Sequence, residues 1–288
     1  MLVSMNAQPS LPSSGLIIAA TPLGNVADAS ERLKAALGAA DVIAAEDTRR
    51  TRSLATALGV EIRGKVISNF DHNEASRVQS LIDAAAHGVV LVVSDAGMPL
   101  VSDPGLAVVN AAHDAGVSVT CLPGPSAVPT ALALSGLNVG HFIFDGFAPR
   151  KTGPRREWLS SLVGEKRAVC FFESPHRLAE TLTVAAEILG SERRAAVCRE
   201  LSKTYEEVKR GGLGDLAQWA EEGARGEITV VIEGATQAES LDPADLVPKV
   251  HVLVDQGYRL KDACKEVAGT YSVPTRELYD AALAARES

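Results

Sequence analysis

Ser94-Asp95-Ala96-Gly97-Met98-Pro99-Leu100-Val101-Ser102-Asp103-Pro104-Gly105 follows directly on the apolar run Val89-Val90-Leu91-Val92-Val93. The run is short and rich in branched side chains, which reads as a strand buried on both faces of a parallel sheet. Two Gly/Pro-rich turns follow it, each carrying an aspartate. In open α/β sheets the edge beyond the strand carboxyl ends is where ligands bind. A single such turn also suits an ordinary capped connection, since Asp and Gly make turns without any ligand. The doubling points to a site.

Working outward, apolar runs alternate with helical patterns. Strands are predicted at 16–20, 41–45, 65–68, 89–93 and 117–121, with helices near 28–38, 47–58, 74–87 and 104–115 between them. This alternation predicts a mostly parallel sheet covered by helices. A small-residue helix over 126–135 follows, with Gly136 or Gly140 as a hinge. Beyond it, 141–145, 168–172, 195–198, 206–209 and 227–232 read as strands, and 154–162, 175–189 and 213–222 as helices, giving a second α/β domain of mixed sheet. Helical patterns at 244–256, 260–268 and 274–284 close the chain. The expected division is a disordered tail over 1–14, α/β domains over 15–136 and 137–236, and a linker with a small helical domain over 237–288.

At 288 residues, with 46% hydrophobic and 22% charged side chains, the composition is that of a globular protein large enough for two cores. No apolar run approaches the roughly 20 residues that span a bilayer. The first basic residue is Arg32, so no charged secretory n-region is visible, and a cytoplasmic location without membrane contact is expected. Cys121, Cys170, Cys198 and Cys264 fit neither zinc spacing nor a redox pair, so buried free thiols and no metal are expected. The net charge of −8 argues against a nonspecific nucleic-acid binder. It leaves room for local basic surface, such as Arg150, Lys151, Arg155 and Arg156 in the 148–156 loop. Gly212-Leu213-Gly214-Asp215-Leu216-Ala217 mimics a dinucleotide fingerprint, but the polar strand before it suits an exposed hairpin instead.

Other segments stand at strand ends in the same way: Thr21-Pro22-Leu23-Gly24-Asn25, Ala45-Glu46-Asp47-Thr48-Arg49-Arg50-Thr51, Phe70-Asp71-His72-Asn73-Glu74, Pro123-Gly124-Pro125-Ser126-Ala127, Phe172-Glu173-Ser174-Pro175-His176-Arg177 and Arg199-Glu200-Leu201-Ser202-Lys203-Thr204-Tyr205-Glu206. In this order and spacing, over roughly residues 15–286, the chain resembles the ribosomal RNA small subunit methyltransferase I family of the tetrapyrrole (corrin/porphyrin) methylase superfamily. Two departures are visible: Met98 stands where that family usually has Thr, and Arg225 where Lys is common before Gly-Glu.

The resemblance implies S-adenosylmethionine as methyl donor, bound in the cleft between the two α/β domains. Carried over by position, Pro22, Leu23 and Gly24 would line the donor, with Gly allowing close backbone approach. Asp95, Ala96, Gly97 and Met98 would hold its ribose and methionine portions, Ser126 and Ala127 would bind from the next strand end, and Phe172 and the strand at Ile228-Thr229-Val230 would complete the adenine pocket. Plain core packing for the apolar members, and a turn or helix-cap role for Asp95, are the alternatives. The implied reaction is 2′-O-methylation of a cytidine ribose in the decoding region of small-subunit ribosomal RNA. Alignment supplies much of the acceleration, and a nearby base helps a weakly acidic hydroxyl. Glu46, Asp47, His72 and Glu74 are the favoured candidates, with Glu173, His176, Glu200 and Lys203 behind them.

Arg49, Arg150, Lys151, Arg155, Arg156 and Arg177 are the expected RNA contacts. The tail over 237–288 resembles a helix-turn-helix, yet carries six Lys/Arg against nine Asp/Glu, which suits packing or dimer contact at least as well as phosphate binding. Small-subunit ribosomal RNA or the assembled 30S subunit is the implied partner, and a homodimer the expected assembly. A tetrapyrrole-pathway C-methyltransferase of the same fold, and a non-catalytic donor-binding protein, are the rival readings.

Overall fold

The computed structural model describes residues 11–69, 74–235, 243–271 and 273–287. Five parallel strands, β1 (Gly15–Ala19), β2 (Val42–Ala45), β3 (Lys65–Ser68), β4 (Val89–Val93) and β5 (Val119–Leu122), form a sheet in the order β3-β2-β4-β1-β5. The connections are helical: α1 (Glu31–Ala39), α2 (Thr48–Ala57), α3 (Glu74–His87) and α4 (Leu106–Asp114). Successive strand residues face opposite sides, and both sides are apolar. Ile17, Ile43, Leu91 and Val93 pack with Leu33 and Leu37 of α1. Leu16, Ile18, Val90 and Val92 pack with Leu81 and Ile82 of α3 and Val108 of α4. Burial on both faces is why these strands read as continuous apolar runs. Because all five run the same way, the segments that follow them emerge at one edge.

The chain then forms α5 (Ala127–Ser135) and a second sheet of β6 (Phe142–Phe147), β7 (Ala168–Glu173), β8 (Arg194–Arg199), β9 (Glu207–Gly212) and β10 (Ile228–Ile232), ordered β6-β7-β10-β8-β9. β6 and β7 are parallel and the other pairs antiparallel. One face is covered by α6 (Thr152–Ser161), α7 (Leu178–Leu189) and α8 (Leu213–Glu221), through Leu159, Leu178, Leu182 and Leu216 against Val169, Phe171, Val197 and Val230. The other face is covered by α5, whose Val128, Ala131 and Leu132 pack with Cys170, Cys198 and Val231. The helix that sequence grouped with the first sheet therefore covers the second. It ends at Gly136, which takes the left-handed conformation (φ 58°) that glycine adopts without penalty.

β6 extends two residues past its expected end. Gly146 has φ 69° and the pairing with β7 shifts between Phe144 and Phe147, so the glycine marks a bulge inside the strand. Cys121 is exposed, against expectation, while Cys170, Cys198 and Cys264 are buried. Burial pushes the Cys170 thiol up to about 12 and the Cys198 thiol up to about 11.

By contacts the chain divides into a compact unit up to Glu233 and another from Gly234 onward. The second is three helices, α9 (Pro243–Asp255), α10 (Leu260–Tyr271) and α11 (Thr275–Glu287), around Leu246, Val250, Cys264, Val267 and Leu278. Among the described residues no helix is long and apolar enough to cross a membrane.

Candidate functional site

β2 and β4 are neighbours with Ala45 opposite Val93, so Glu46 and Ser94-Asp95 leave the sheet side by side. The two segments clamp each other. The Asp95 N–H donates to Glu46 Oε2 at 3.0 Å, and the Asp47 N–H donates to Asp95 Oδ1 at 3.0 Å. Asp95 Oδ2 lies 3.3 Å from Arg50 Nη1. The Asp47 carboxylate accepts from the Arg49 N–H at 2.7 Å and caps α2; that bond is the main cause holding its carboxyl below the usual range.

The doubled turn is pinned to the end of β1. Thr21 and Gly97 exchange backbone hydrogen bonds of 2.9 and 3.0 Å, and the Thr21 hydroxyl donates to Ser94 O at 3.2 Å. Gly97 has φ 87°, and a Cβ there would stand 3.1 Å from Leu23 Cδ2. Further along, Leu100 (φ 70°) and Ser102 (φ 68°) adopt left-handed backbone without being glycine. Such conformations cost on the order of 1–3 kcal/mol each and cluster at functional sites.

The opposite wall comes from the second sheet. β7 and β10 are antiparallel, with Glu173 opposite Ile228 and Phe172 opposite Thr229, so the end of one strand meets the start of the other. Phe172 is held edge-on between Phe144 and Phe147, at ring separations of 5.0 and 5.4 Å. Buried Glu173 accepts from the Thr181 hydroxyl and the Ser174 N–H, each at 2.6 Å, and pairs with Arg177 Nη2 at 2.5 Å. Between the walls lies a cavity of about 370 Å³, within the range of small-molecule sites.

Of the residues expected at a donor site, Leu23, Asp95, Ala96, Gly97, Met98, Ser126, Ala127, Phe172 and Thr229 line this cavity, and Pro22 and Gly24 do not. Gly24 is accounted for differently: a Cβ there would stand 2.1 Å from Lys203 Cγ. The Lys203 ammonium pairs with Glu200 at 2.9 Å and Glu227 at 3.1 Å. Burial works against its charge, but those hydrogen bonds outweigh it and hold its pKa above the ordinary lysine range. Of the expected bases, Glu46 is on the cavity wall and Asp47 is not. His72 lies outside the described residues, and Glu74 is described only as the first residue of α3.

The expected RNA contacts separate. Arg49 is 89% exposed, and Arg150 and Lys151 are exposed. Arg156 pairs with Glu187 at 2.7 Å, and Arg177 is tied to Glu173. Arg155 is a correction. Its side chain is 1% exposed, with Nε on Pro149 O, Nη2 on Arg150 O and Nη1 2.9 Å from Glu180. It builds the loop and has no face left for phosphate.

Arg50, Phe147 and Glu227 line the cavity and were missed. Arg50 stands beside the arginine that drew attention, one residue on in the same turn of α2. Phe147 was hidden because the strand was read as ending at Asp145, two residues short of its end. Glu227 immediately precedes β10, where the cleft-facing end of an antiparallel strand is its beginning.

Comparisons with known proteins agree with this architecture. The family model for tetrapyrrole (corrin/porphyrin) methylases matches residues 15–217. The protein from Mycobacterium bovis called ribosomal RNA small subunit methyltransferase I is 56% identical over 278 residues, covering 96% of this chain and 97% of its own. Among solved structures, the methyltransferase CobJ aligns with TM-score 0.57 and 20% identity over 77% of this chain and 95% of its own. Uroporphyrin-III C-methyltransferase from Thermus thermophilus, complexed with S-adenosylhomocysteine, aligns with TM-score 0.53 and 18% identity over 75% and 95%. Those two share the fold. With the family model spanning most of the chain and 56% identity along nearly all of it, the chain belongs to the tetrapyrrole (corrin/porphyrin) methylases, in the branch of ribosomal RNA small subunit methyltransferase I.

Proposed function

We propose that this chain transfers the methyl group of S-adenosylmethionine to the ribose 2′-oxygen of a cytidine in the decoding region of small-subunit ribosomal RNA, working in the cytoplasm as a homodimer. The observation that carries the donor is the charge of the cavity. Among the described residues Glu46, Asp95, Asp103, Glu173 and Glu227 line it, against one cation, Arg50. The donor bears a sulfonium and an ammonium against one carboxylate, so a wall rich in carboxylates fits it. Glu173 is spent on Thr181, Ser174 and Arg177, which leaves the Glu46–Asp95 pair as the polar centre of the first wall.

The bound donor supplies a methyl group on positively charged sulfur, so no further activation of carbon is required. What remains for the protein is alignment, exclusion of water and handling of one proton. Asp95, fixed by the Asp47 N–H and Arg50, holds the donor's polar groups. Phe172, locked by two aromatic neighbours, and Leu23 supply apolar surface for its base. We assign removal of the acceptor hydroxyl proton to Glu46, which the Asp95 N–H orients at 3.0 Å.

Two variants separate these roles. Asp95→Ala should weaken donor binding by on the order of 1–3 kcal/mol, the scale of a lost charge-assisted hydrogen bond. Glu46→Gln should leave donor affinity within a few-fold while cutting turnover by about 100-fold or more, the scale of a lost general base. Calorimetry with the donor, and nucleoside mass spectrometry of small-subunit rRNA from cells with and without the gene, read both. An rRNA nucleoside profile that does not change on deletion sinks the reading.

A further inference from the structure

An acidic cavity in a chain of net charge −8 repels a polyanion, so RNA must be held by cations outside the cavity yet rigidly connected to it. Most arginines and lysines around the cleft are already engaged. Arg155 is buried, Arg156 pairs with Glu187, Arg177 with Glu173, Arg199 with Glu207, and Lys203 with Glu200 and Glu227. Arg193 is spent on the carbonyls of Glu233, Leu162, Val163 and Glu165.

α2 is different. Its first five residues are Thr48-Arg49-Arg50-Thr51-Arg52, and the helix contains no acidic residue. Cations in the first turn of a helix oppose its dipole, where anions are favoured. Arg49 and Arg52, three apart, also repel on one face. Among the described residues little compensates them: Arg49 Nη2 reaches its own cap Asp47 at 3.5 Å, and Arg52 Nη1 touches the Thr48 carbonyl at 3.5 Å. A local arrangement that runs against helix electrostatics without a structural return is the mark of a functional surface. The same turn is tied to the cavity, because its cap residue donates to Asp95 and Arg50 stands on the cavity wall.

We infer that the first turns of α2 are the phosphate-docking surface for the acceptor RNA, with Arg49 and Arg52 gripping the backbone outside the cavity and Arg50 marking its rim. The inference rests on the proposed ribosomal RNA substrate. It moves the phosphate contacts from the 148–156 loop, where Arg155 is unavailable, to the first sheet's side of the cleft. Grip and donor site are then separate: the docking cations lie outside the cavity that takes the donor.

The test uses the full chain with unmodified small-subunit rRNA transcript and with purified small subunits as probes. Arg49→Gln/Arg52→Gln should lower the slope of log affinity for the transcript against log salt by roughly 1.4, the value for two contacts to single-stranded phosphates. It should raise the RNA KM about 10-fold and leave kcat and calorimetric donor affinity unchanged. Arg49→Lys/Arg52→Lys keeps the charges and should restore most of the slope. A Gln variant with an unchanged slope and KM overturns the inference, as does one that loses donor binding, which would make the arginines structural. Weakened binding to whole subunits alongside unchanged binding to the naked transcript would assign α2 to a ribosomal protein and also overturn it. If the wild-type chain methylates neither probe, the proposed function fails instead, while the salt slope still reports on α2.

Discussion

Gly24 and Lys203 come from segments 179 residues apart, yet the lysine stem occupies the space a Gly24 side chain would need. The atom in the way is Cγ, near the root of the side chain, so Lys203 cannot move aside without withdrawing its ammonium from Glu200 and Glu227. Gly24→Ala should therefore destabilise the protein by about 1–3 kcal/mol, as overpacking does. Lys203→Ala should cost less on its own account once the alanine is present. A thermal-unfolding double-mutant cycle checks this, and additive effects would disprove the contact. The residue types at the site were readable from sequence, since Asp95, Gly97, Leu23 and Phe172 announce themselves at strand ends. Direction was not. Arg155 looked like surface charge in a basic loop with a helix beginning at 154. Arg155 lies within α6, four and seven residues before Leu159 and Leu162, so it shares their buried face and turns inward.

Between β4 and α4 the doubled turn holds its shape against local backbone preference. Ser102 is exposed, lines the cavity and lies at φ 68°, a region that costs an L residue about 1–2 kcal/mol and glycine almost nothing. Ser102→Gly should raise the unfolding free energy by about 0.5–1 kcal/mol, and Ser102→Val, branched at Cβ, should lower it. Denaturant unfolding of the pair reads the difference, and a glycine variant less stable than wild type would mean the serine hydroxyl outweighs the strain. The elements were legible to within a few residues wherever hydrophobic periodicity is strong. β6 was cut short at Asp145, and only the register with β7 shows that Gly146 bulges the strand and lets it run on to Phe147. The positive φ values of Leu100 and Ser102 carry no sequence signal, because both residues more often take other conformations.

At the scale of the molecule, alternation of strand and helix in the sequence predicts a parallel sheet but not its order. β1 sits between β4 and β5 because the chain crosses over it, a consequence of long-range packing. The same limit applies to α5, encoded directly after the first sheet and buried in the second. This has a practical outcome for anyone dividing the gene. A fragment beginning at Leu137 uncovers the face formed by Ala168, Cys170, Cys198 and Val231, and should precipitate or show both cysteines to a thiol reagent. A fragment beginning at Pro125 keeps α5 and should stay in solution with those thiols silent. Equal labelling of the two fragments would contradict the packing. Swapping halves between relatives obeys the same rule: a junction placed after α5 gives the incoming sheet a foreign lid, and one placed before it transfers sheet and lid together.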